Sequence, residues 1–171
     1  MELIMCKPIA LFVSVAIAFI SSSSFAVTPR FQFGETWGLS VPNGTSDITA
    51  GIPSTLVGVG ASTTITEEWI VFSDMVFAVP RTKFYPGIRP VIGTMRKFDG
   101  WALAGSILYQ WNPPFAAGSK DVHTVGPTLA LVLPLKASGV SFSFGLGYRV
   151  QLTGDKLTHV FSFGPGLFFS F

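Results

Sequence analysis

A small set of polar side chains lies in segments that otherwise alternate between large apolar and small residues. Counted from this alternation, the set faces away from the large apolar side chains: Asp74, Arg89, Gln110, Arg149 and Gln151, with Arg30 and Glu68 nearer the segment ends. Asp74 and Arg89 fall on neighbouring segments, where antiparallel pairing would bring a carboxylate and a guanidinium together. The pattern therefore predicts an ion-pair cluster to which Arg149 contributes from the opposite side.

The two histidines are the next residues with possible chemistry, because an imidazole beside a serine can act as a general base. His159 and Ser162 are the available pair, but an odd number of positions separates them, so a regular strand turns them to opposite faces. By spacing alone, no carboxylate shares the local face of His159 or His123, and a triad needs such an acid. We therefore expect no catalytic residue and no enzymatic activity.

Metal and cofactor sites are not indicated by the sequence. His, Asp and Glu do not cluster at the spacings of metal ligands, and Cys6 is the only cysteine. Gly-x-Gly pairs at 58–60, 145–147 and 164–166 resemble fragments of phosphate-binding loops, but no helix follows them. We predict no metal and no cofactor, and we interpret these glycines as small residues of a crowded interior.

The composition restricts the class of protein. Of the 171 residues, 49% are hydrophobic and only 12% are charged, whereas an average globular chain carries about 25% charged residues. This excludes intrinsic disorder, and a formal net charge of +2 supplies no basic surface for a nucleic acid. A plain cytosolic enzyme is also disfavoured.

The N-terminal segment has the three parts of a secretory signal peptide. Lys7 precedes an unbroken apolar run, Pro8 to Ile20, and small residues that end at Ala26 follow it. The run is too short for a helix that spans a bilayer, which needs ~20 residues. We predict a cleaved signal peptide at 1–26 and a mature domain at 27–171, which then contains no cysteine.

Hydrophobicity in the mature chain follows a period of two, not a helical stripe, so strands carry it. Clusters of Gly, Pro, Asn and Asp separate eight predicted strands: 29–40, 54–65, 68–79, 87–96, 100–111, 124–135, 139–152 and 157–171. Long connections at Val41–Pro53, Pro80–Pro86 and Asn112–His123 mostly alternate with short ones. This alternation is typical of outer-membrane barrels, which have short periplasmic turns and longer external loops.

The two faces of the predicted strands indicate what surrounds them. In a soluble barrel the face opposite the apolar core meets water, but here that face is mostly Gly, Ser, Ala and Thr. Small residues fit inside a narrow barrel, and large aromatic residues suit a band against lipid. Aromatic residues near strand ends fit interfacial girdles: Trp37, Trp69, Tyr85, Trp101, Tyr109 and Trp111. We predict an all-β fold, an eight-stranded antiparallel up-and-down transmembrane β-barrel.

The C-terminal segment carries a resemblance to a known family. It ends in an alternating strand with Leu167, Phe169 and Phe171 in phase, and the last residue is aromatic. This resembles the terminal strand of small, eight-stranded bacterial outer-membrane β-barrel proteins. The resemblance implies that the barrel-assembly machinery reads these three residues as an assembly signal. Pro165 departs from the pattern because it lacks an N–H, so we expect a bulge or an unpaired position there.

These features predict an integral barrel of the bacterial outer membrane, with both termini periplasmic and with outer-membrane lipids, including lipopolysaccharide, as partners. The resemblance implies a structural or surface-interaction role, and an eight-stranded interior is just wide enough for side chains to fill. Three alternatives stay open: a narrow channel for small or apolar solutes, an outer-membrane lipid A-modifying enzyme, and a secreted lipocalin-like ligand-binding barrel. Glu35 has no evident place, because alternation puts it on the apolar face of the first strand.

Overall fold

The computed structural model of the chain describes residues 26–51, 53–81, 87–114, 120–135 and 139–171. Residues 1–25, which make up nearly all of the predicted signal peptide, lie outside these ranges, and so does Tyr85 of the predicted girdle. Within the described ranges, no helix is long and apolar enough to cross a membrane.

Eight long strands and one two-residue strand account for the described chain: β1 (Val27–Pro42), β2 (Thr49–Ala50), β3 (Ser54–Thr64), β4 (Trp69–Pro80), β5 (Gly87–Phe98), β6 (Trp101–Asn112), β7 (Val122–Pro134), β8 (Val140–Thr153) and β9 (Lys156–Ser170). The eight predicted strands are confirmed, and each end lies within two residues of its prediction. The prediction succeeds because period-two alternation and turn residues are both local properties of the sequence.

The sheet is antiparallel throughout, and pairing of β1 with β9 closes it into a barrel. One row of paired residues leaves β1 at Val27, passes through Thr63, Val71, Thr94, Gly105, Leu129, Leu146 and Phe163, and returns to β1 at Trp37, ten residues beyond its start. With ~3.3 Å per residue and ~4.8 Å between strands, this offset over eight strands corresponds to a tilt of roughly 40°. Transmembrane barrels have strand tilts of this size.

The two ends of the barrel differ in their connections. At one end, which we call the loop end, β1 ends at Pro42, β4 at Pro80, β6 at Asn112 and β8 at Thr153. At the other, which we call the turn end, β3 ends at Thr64, β5 at Phe98 and β7 at Pro134, and Val27 and Phe171 also lie there. The two-residue turns contain Gly100 at φ 78° and Gly154 at φ 60°, a conformation that favours glycine.

The first external loop is shorter than predicted. β2 pairs with β1 on the same edge as β3, with Leu39 opposite Ala50. This pairing is one residue out of step with that of β3, so β2 continues β3 toward the loop end beyond a bulge near Gly51. The loop predicted at Val41–Pro53 is thereby reduced to 43–48, because β1 also runs on to Pro42.

The outer surface of the barrel is apolar. Large apolar side chains alternate outward along every long strand, for example Phe33, Val59, Ile107, Leu146 and Phe161, and all of these are exposed. The inward positions instead hold small residues, a few buried polar side chains and buried apolar residues, which include a cluster of Phe72, Ala102, Ala104 and Val132. The lipocalin-like alternative is therefore wrong, because it requires the aromatic face to turn inward.

The seam between β1 and β9 is interrupted at Pro165. Gly34 pairs with Gly166 and Trp37 with Phe163, but the residues between these pairs are unpaired across the seam. On its other side Pro165 still pairs with Phe144 of β8. The expected unpaired position is thus confirmed on the β1 side, and the unchanged register on either side of it shows that no residue is inserted there.

Candidate luminal site

The first group of luminal side chains contains an ion pair between a residue of β1 and a residue of β4, the two strands that flank β3. Arg30 of β1 and Asp74 of β4 both pair with Gly60 of β3, so the three residues form one row. A side chain on Gly60 would occupy the space of the Asp74 carboxylate, so the glycine lets its neighbours meet above it. Arg30 Nη2 lies 3.6 Å from Asp74 Oδ2, and both side chains are buried.

Two aromatic rings hold the guanidinium of Arg30 in the lumen. Its Cζ lies 4.4 Å from the ring centre of Phe72 and 4.9 Å from that of Phe168. Cation–π contacts of this kind strengthen when they are desolvated. The side chains of Arg30, Phe72, Asp74 and Phe168 come from β1, β4 and β9, and together we call them the plug.

The predicted ion pair between Asp74 and Arg89 is wrong. Asp74 pairs in register with Val91, whereas Arg89 pairs with Val76, one inward position nearer the loop end. Arg89 instead donates from Nε and Nη2 to Gln110 Oε1, at 3.0 and 2.6 Å. The sequence places both residues correctly on the inner face, but the register gives Asp74 a different partner, Arg30.

The second luminal group lies nearer the loop end and is built around Arg89 and Arg149. Gln110 also contacts Asn112, because its Nε2 donates a hydrogen bond to Asn112 Oδ1 at 2.7 Å. Arg149 is buried, and its Nε has no hydrogen-bond partner in the described structure. Gln151 does not join the group, because its amide contacts Thr153 at 3.5 Å.

A cavity of about 190 Å³ runs along the lumen and touches both groups. Its wall includes Arg30 and Asp74 of the plug, then Arg89 and Arg149 nearer the loop end. Among the residues that the structure describes, no group of three or more His, Cys, Asp or Glu side chains could hold a metal ion. In the described part of the lumen, the polar side chains are guanidinium, amide and hydroxyl groups with one buried carboxylate, that of Asp74.

The histidines lie outside the lumen. The His159 ring contacts Tyr148, with 2.7 Å between Nδ1 and the phenol oxygen, whereas Ser162 is buried on the inner face. This separation confirms that the spacing turns the two residues to opposite faces. His123 makes the same 2.7 Å contact with Tyr109.

One expectation about these histidines needs correction. Asp121, two residues before His123, accepts a hydrogen bond from Trp111 Nε1 at 3.4 Å. Since Trp111 pairs with His123 in register, a carboxylate does lie near that histidine. In the described structure the Nδ1 of His123 is bonded to Tyr109, and no contact joins the histidine to Asp121.

Of the described aromatic residues of the predicted girdles, two lie at the turn end of the outer surface and three lie in the loop-end half of their strands. Trp69 and Trp101 begin β4 and β6 at the turn end, and Trp101 stacks on Phe98 at 4.2 Å. Toward the loop end lie Trp37, Tyr109 and Trp111. The ring of Trp37 stacks on that of Phe163, with 6.0 Å between the ring centres. Their positions suit rings that have an apolar body in lipid and a polar atom at the interface.

The outward-facing carboxylate of Glu35 has an ion-pair partner two strands away in the sheet. It shares the outer face of β1 with Phe31 and Phe33, beside the interruption at Pro165. Its carboxylate forms an ion pair with Arg81, which follows β4 at the loop end. A long arginine side chain can lie along apolar surface while its charge reaches a partner, so the outward carboxylate is compensated.

The last residues of β9 lie along the seam that closes the barrel. Leu167 and Phe169 pair with Phe33 and Phe31 of β1, and the rings of Phe31 and Phe169 are 6.0 Å apart. Phe171 is 82% exposed at the turn end. These positions leave the terminal ring accessible, and its reading as an assembly signal stays a prediction.

Comparison with known proteins agrees with this architecture. No protein-family model and no curated protein matches the sequence. The crystal structure of Neisserial surface protein A (NspA) matches over 85% of this chain and 99% of that chain, with a TM-score of 0.53 and 10% identity. The chain is a small eight-stranded β-barrel of the outer-membrane type.

Two further structures match this barrel less well. The attachment invasion locus protein Ail of Yersinia pestis has a TM-score of 0.44 and 10% identity over 83% of this chain and 98% of its own. Ail in complex with the heparin analogue sucrose octasulfate has a TM-score of 0.42 and 10% identity over 84% and 99%. The closing pairing of β1 with β9 and the match to NspA confirm the predicted fold class, and the apolar exterior is that of a transmembrane barrel of the outer-membrane type.

Proposed function

We propose that the protein is a closed outer-membrane scaffold with a structural or surface-interaction role, and that it is neither a channel nor an enzyme. Both termini are then periplasmic and the loop end faces outward. Outer-membrane lipids, including lipopolysaccharide, surround the apolar band, and the barrel-assembly machinery inserts the chain. The single observation that carries the proposal is the plug across the turn-end half of the lumen.

The plug is supported on the opposite wall by packed apolar side chains. Phe72 belongs to the buried cluster with Ala102, Ala104 and Val132, and partly buried Met95 packs against that cluster. A hydrated ion would have to displace Arg30 from its carboxylate and from both rings. Breaking a buried ion pair is costly, because each charge loses its compensation. This cost favours a closed lumen.

The channel is the second candidate function, and the luminal cavity is the observation that favours it. The cavity reaches from the plug to Arg149, and Arg89 and Arg149 are polar groups in a wall that also holds apolar residues such as Leu108. It would conduct if the plug moved aside. The lipid A-modifying alternative has weaker support, because Ser162 is buried in the lumen and His159 lies on the outer face.

Planar-bilayer recording on refolded protein tests the closed lumen. We expect no stable conductance steps from the native chain and steps from the double variant Arg30→Ala/Asp74→Ala, which removes both charges of the plug. Arg96→Ala is the matched control, because its ion pair with Glu68 is exposed at the turn end. Stable conductance steps from the native chain, of the size seen with the double variant, would refute the proposal.

The structural and surface-interaction roles are separated by trimming the loop at 43–48. This loop carries Ile48, whose side chain is 70% exposed at the loop end. A two-residue Asn-Gly turn in its place leaves the barrel strands intact. If the trimmed protein restores the detergent resistance of cells that lack the gene, the barrel acts structurally. If only the full loop restores it, the loop end acts through a partner.

A further inference from the structure

The loop-end half of the lumen holds two buried positive charges, for which the described residues provide no counter-charge. Arg89 and Arg149 are 4% and 8% exposed, and both line the cavity. Among the described residues the buried carboxylate of the lumen is Asp74, and it is paired with Arg30 in the plug. Buried charges in proteins are normally paired, because desolvation of an isolated charge is costly.

Unsatisfied donors lie beside these two charges. Within the described parts of the chain, neither Arg149 Nε nor the buried hydroxyl of Thr128 has a hydrogen-bond partner. Gly147 pairs with Thr128 on one side and with Ser162 on the other, so the two hydroxyl residues flank a glycine. A Cβ on Gly147 would lie 2.8 Å from Ser162 Oγ and 3.2 Å from Thr128 Oγ1. The glycine thus leaves open the space between these hydroxyls, one inward position from Arg149.

We propose that this part of the lumen binds one small oxyanion, held by Arg89 and Arg149 with the Thr128 hydroxyl as a further donor. Guanidinium groups match the geometry of phosphate, sulfate and carboxylate, to which they donate two parallel hydrogen bonds. An anion here compensates both charges and satisfies the free donors together. The cavity of about 190 Å³ has room for an ion of this size.

Binding of inorganic phosphate to the refolded full barrel in a zwitterionic detergent tests the site, measured by equilibrium dialysis with radiolabelled phosphate. We expect saturable binding of one phosphate per chain. Arg149→Gln and Arg89→Gln should each weaken it about tenfold or more, and Thr128→Val by about threefold to tenfold. Arg96→Gln, which removes an arginine from the outer surface, should bind as the native chain does.

Controls keep the test decisive if a variant folds poorly. Circular dichroism establishes barrel formation for each variant, and Arg149→Lys, which keeps the charge, should retain more binding than Arg149→Gln. Sulfate and acetate should displace phosphate more effectively than chloride does at matched ionic strength. The absence of saturable binding, an equal loss in Arg96→Gln, or displacement by chloride as effective as by sulfate would each overturn the proposal.

Discussion

Replacing Asp74 by alanine removes the carboxylate that compensates Arg30 in the middle of the plug. The guanidinium of Arg30 cannot be solvated by water instead, because the side chains of Arg30 and Asp74 are only 8% and 4% exposed. The change therefore leaves a guanidinium without its counter-ion inside the barrel. Both Phe72 and Phe168 remain in contact with it, so the arginine keeps its aromatic neighbours.

The expected loss of stability follows from this geometry. Removing one partner of a buried ion pair costs about 3–5 kcal/mol. Two observations reduce the figure here: the 3.6 Å separation exceeds that of a short charge-assisted hydrogen bond, and the cation–π contacts with Phe72 and Phe168 survive. We expect Asp74→Ala to lower the free energy of unfolding by about 2–3 kcal/mol.

Urea unfolding in detergent or lipid, followed by the fluorescence of the four tryptophans, measures this loss. Glu68→Ala is the control, because its pair with Arg96 is exposed and should change stability by at most about 0.5 kcal/mol. The double variant Arg30→Met/Asp74→Ala should recover much of the loss, since it leaves no unpaired charge. A change for Asp74→Ala no larger than that of Glu68→Ala would refute the reasoning.

Three further changes test other parts of the structure. Gly60→Ala should destabilise the barrel because its methyl group displaces the Asp74 carboxylate, whereas Gly105→Ala meets nothing within 4 Å and should be neutral in the same urea assay. Arg81→Ala should lower the free energy of unfolding by about 1 kcal/mol, because it leaves Glu35 unpaired near lipid. Adding Glu35→Gln to the same chain should restore the stability, and a loss that persists would contradict the pairing of Arg81 with Glu35. Deletion of Phe171 should reduce the amount of heat-modifiable barrel in outer-membrane fractions, and an unchanged amount would contradict its role as an assembly signal.

The strands could be predicted because their signals are local. Alternation in 139–152 and turn residues such as Gly100 and Gly154 each fall within a few positions of the element that they define. The same alternation predicted that Asp74, Arg89 and Arg149 lie on the inner face of the barrel. The alternation and the turn residues do not depend on how neighbouring strands pair. Both could therefore be used before the register was known.

The partners of the luminal residues could not be predicted, because a partner depends on register. Parity assigns a residue to a face, but the row that it occupies depends on the length of every turn and bulge around the barrel. Asp74 meets Arg30 across Gly60, and Glu35 meets Arg81 over β3, so each contact spans two strand pairings. Gly60 and Gly147 were the available signal, since each leaves space between the polar residues that flank it.

The central claim is that the apolar face of the strands meets lipid and the opposite face encloses the lumen. Because the predicted mature chain has no cysteine, single cysteines along β8 can carry spin labels whose accessibility to oxygen in a bilayer is measured. The structure predicts high accessibility at Phe142, Phe144 and Leu146 and low accessibility at Ser143, Gly145 and Gly147. Equal accessibility at all six positions, or maxima at the odd ones, would contradict it.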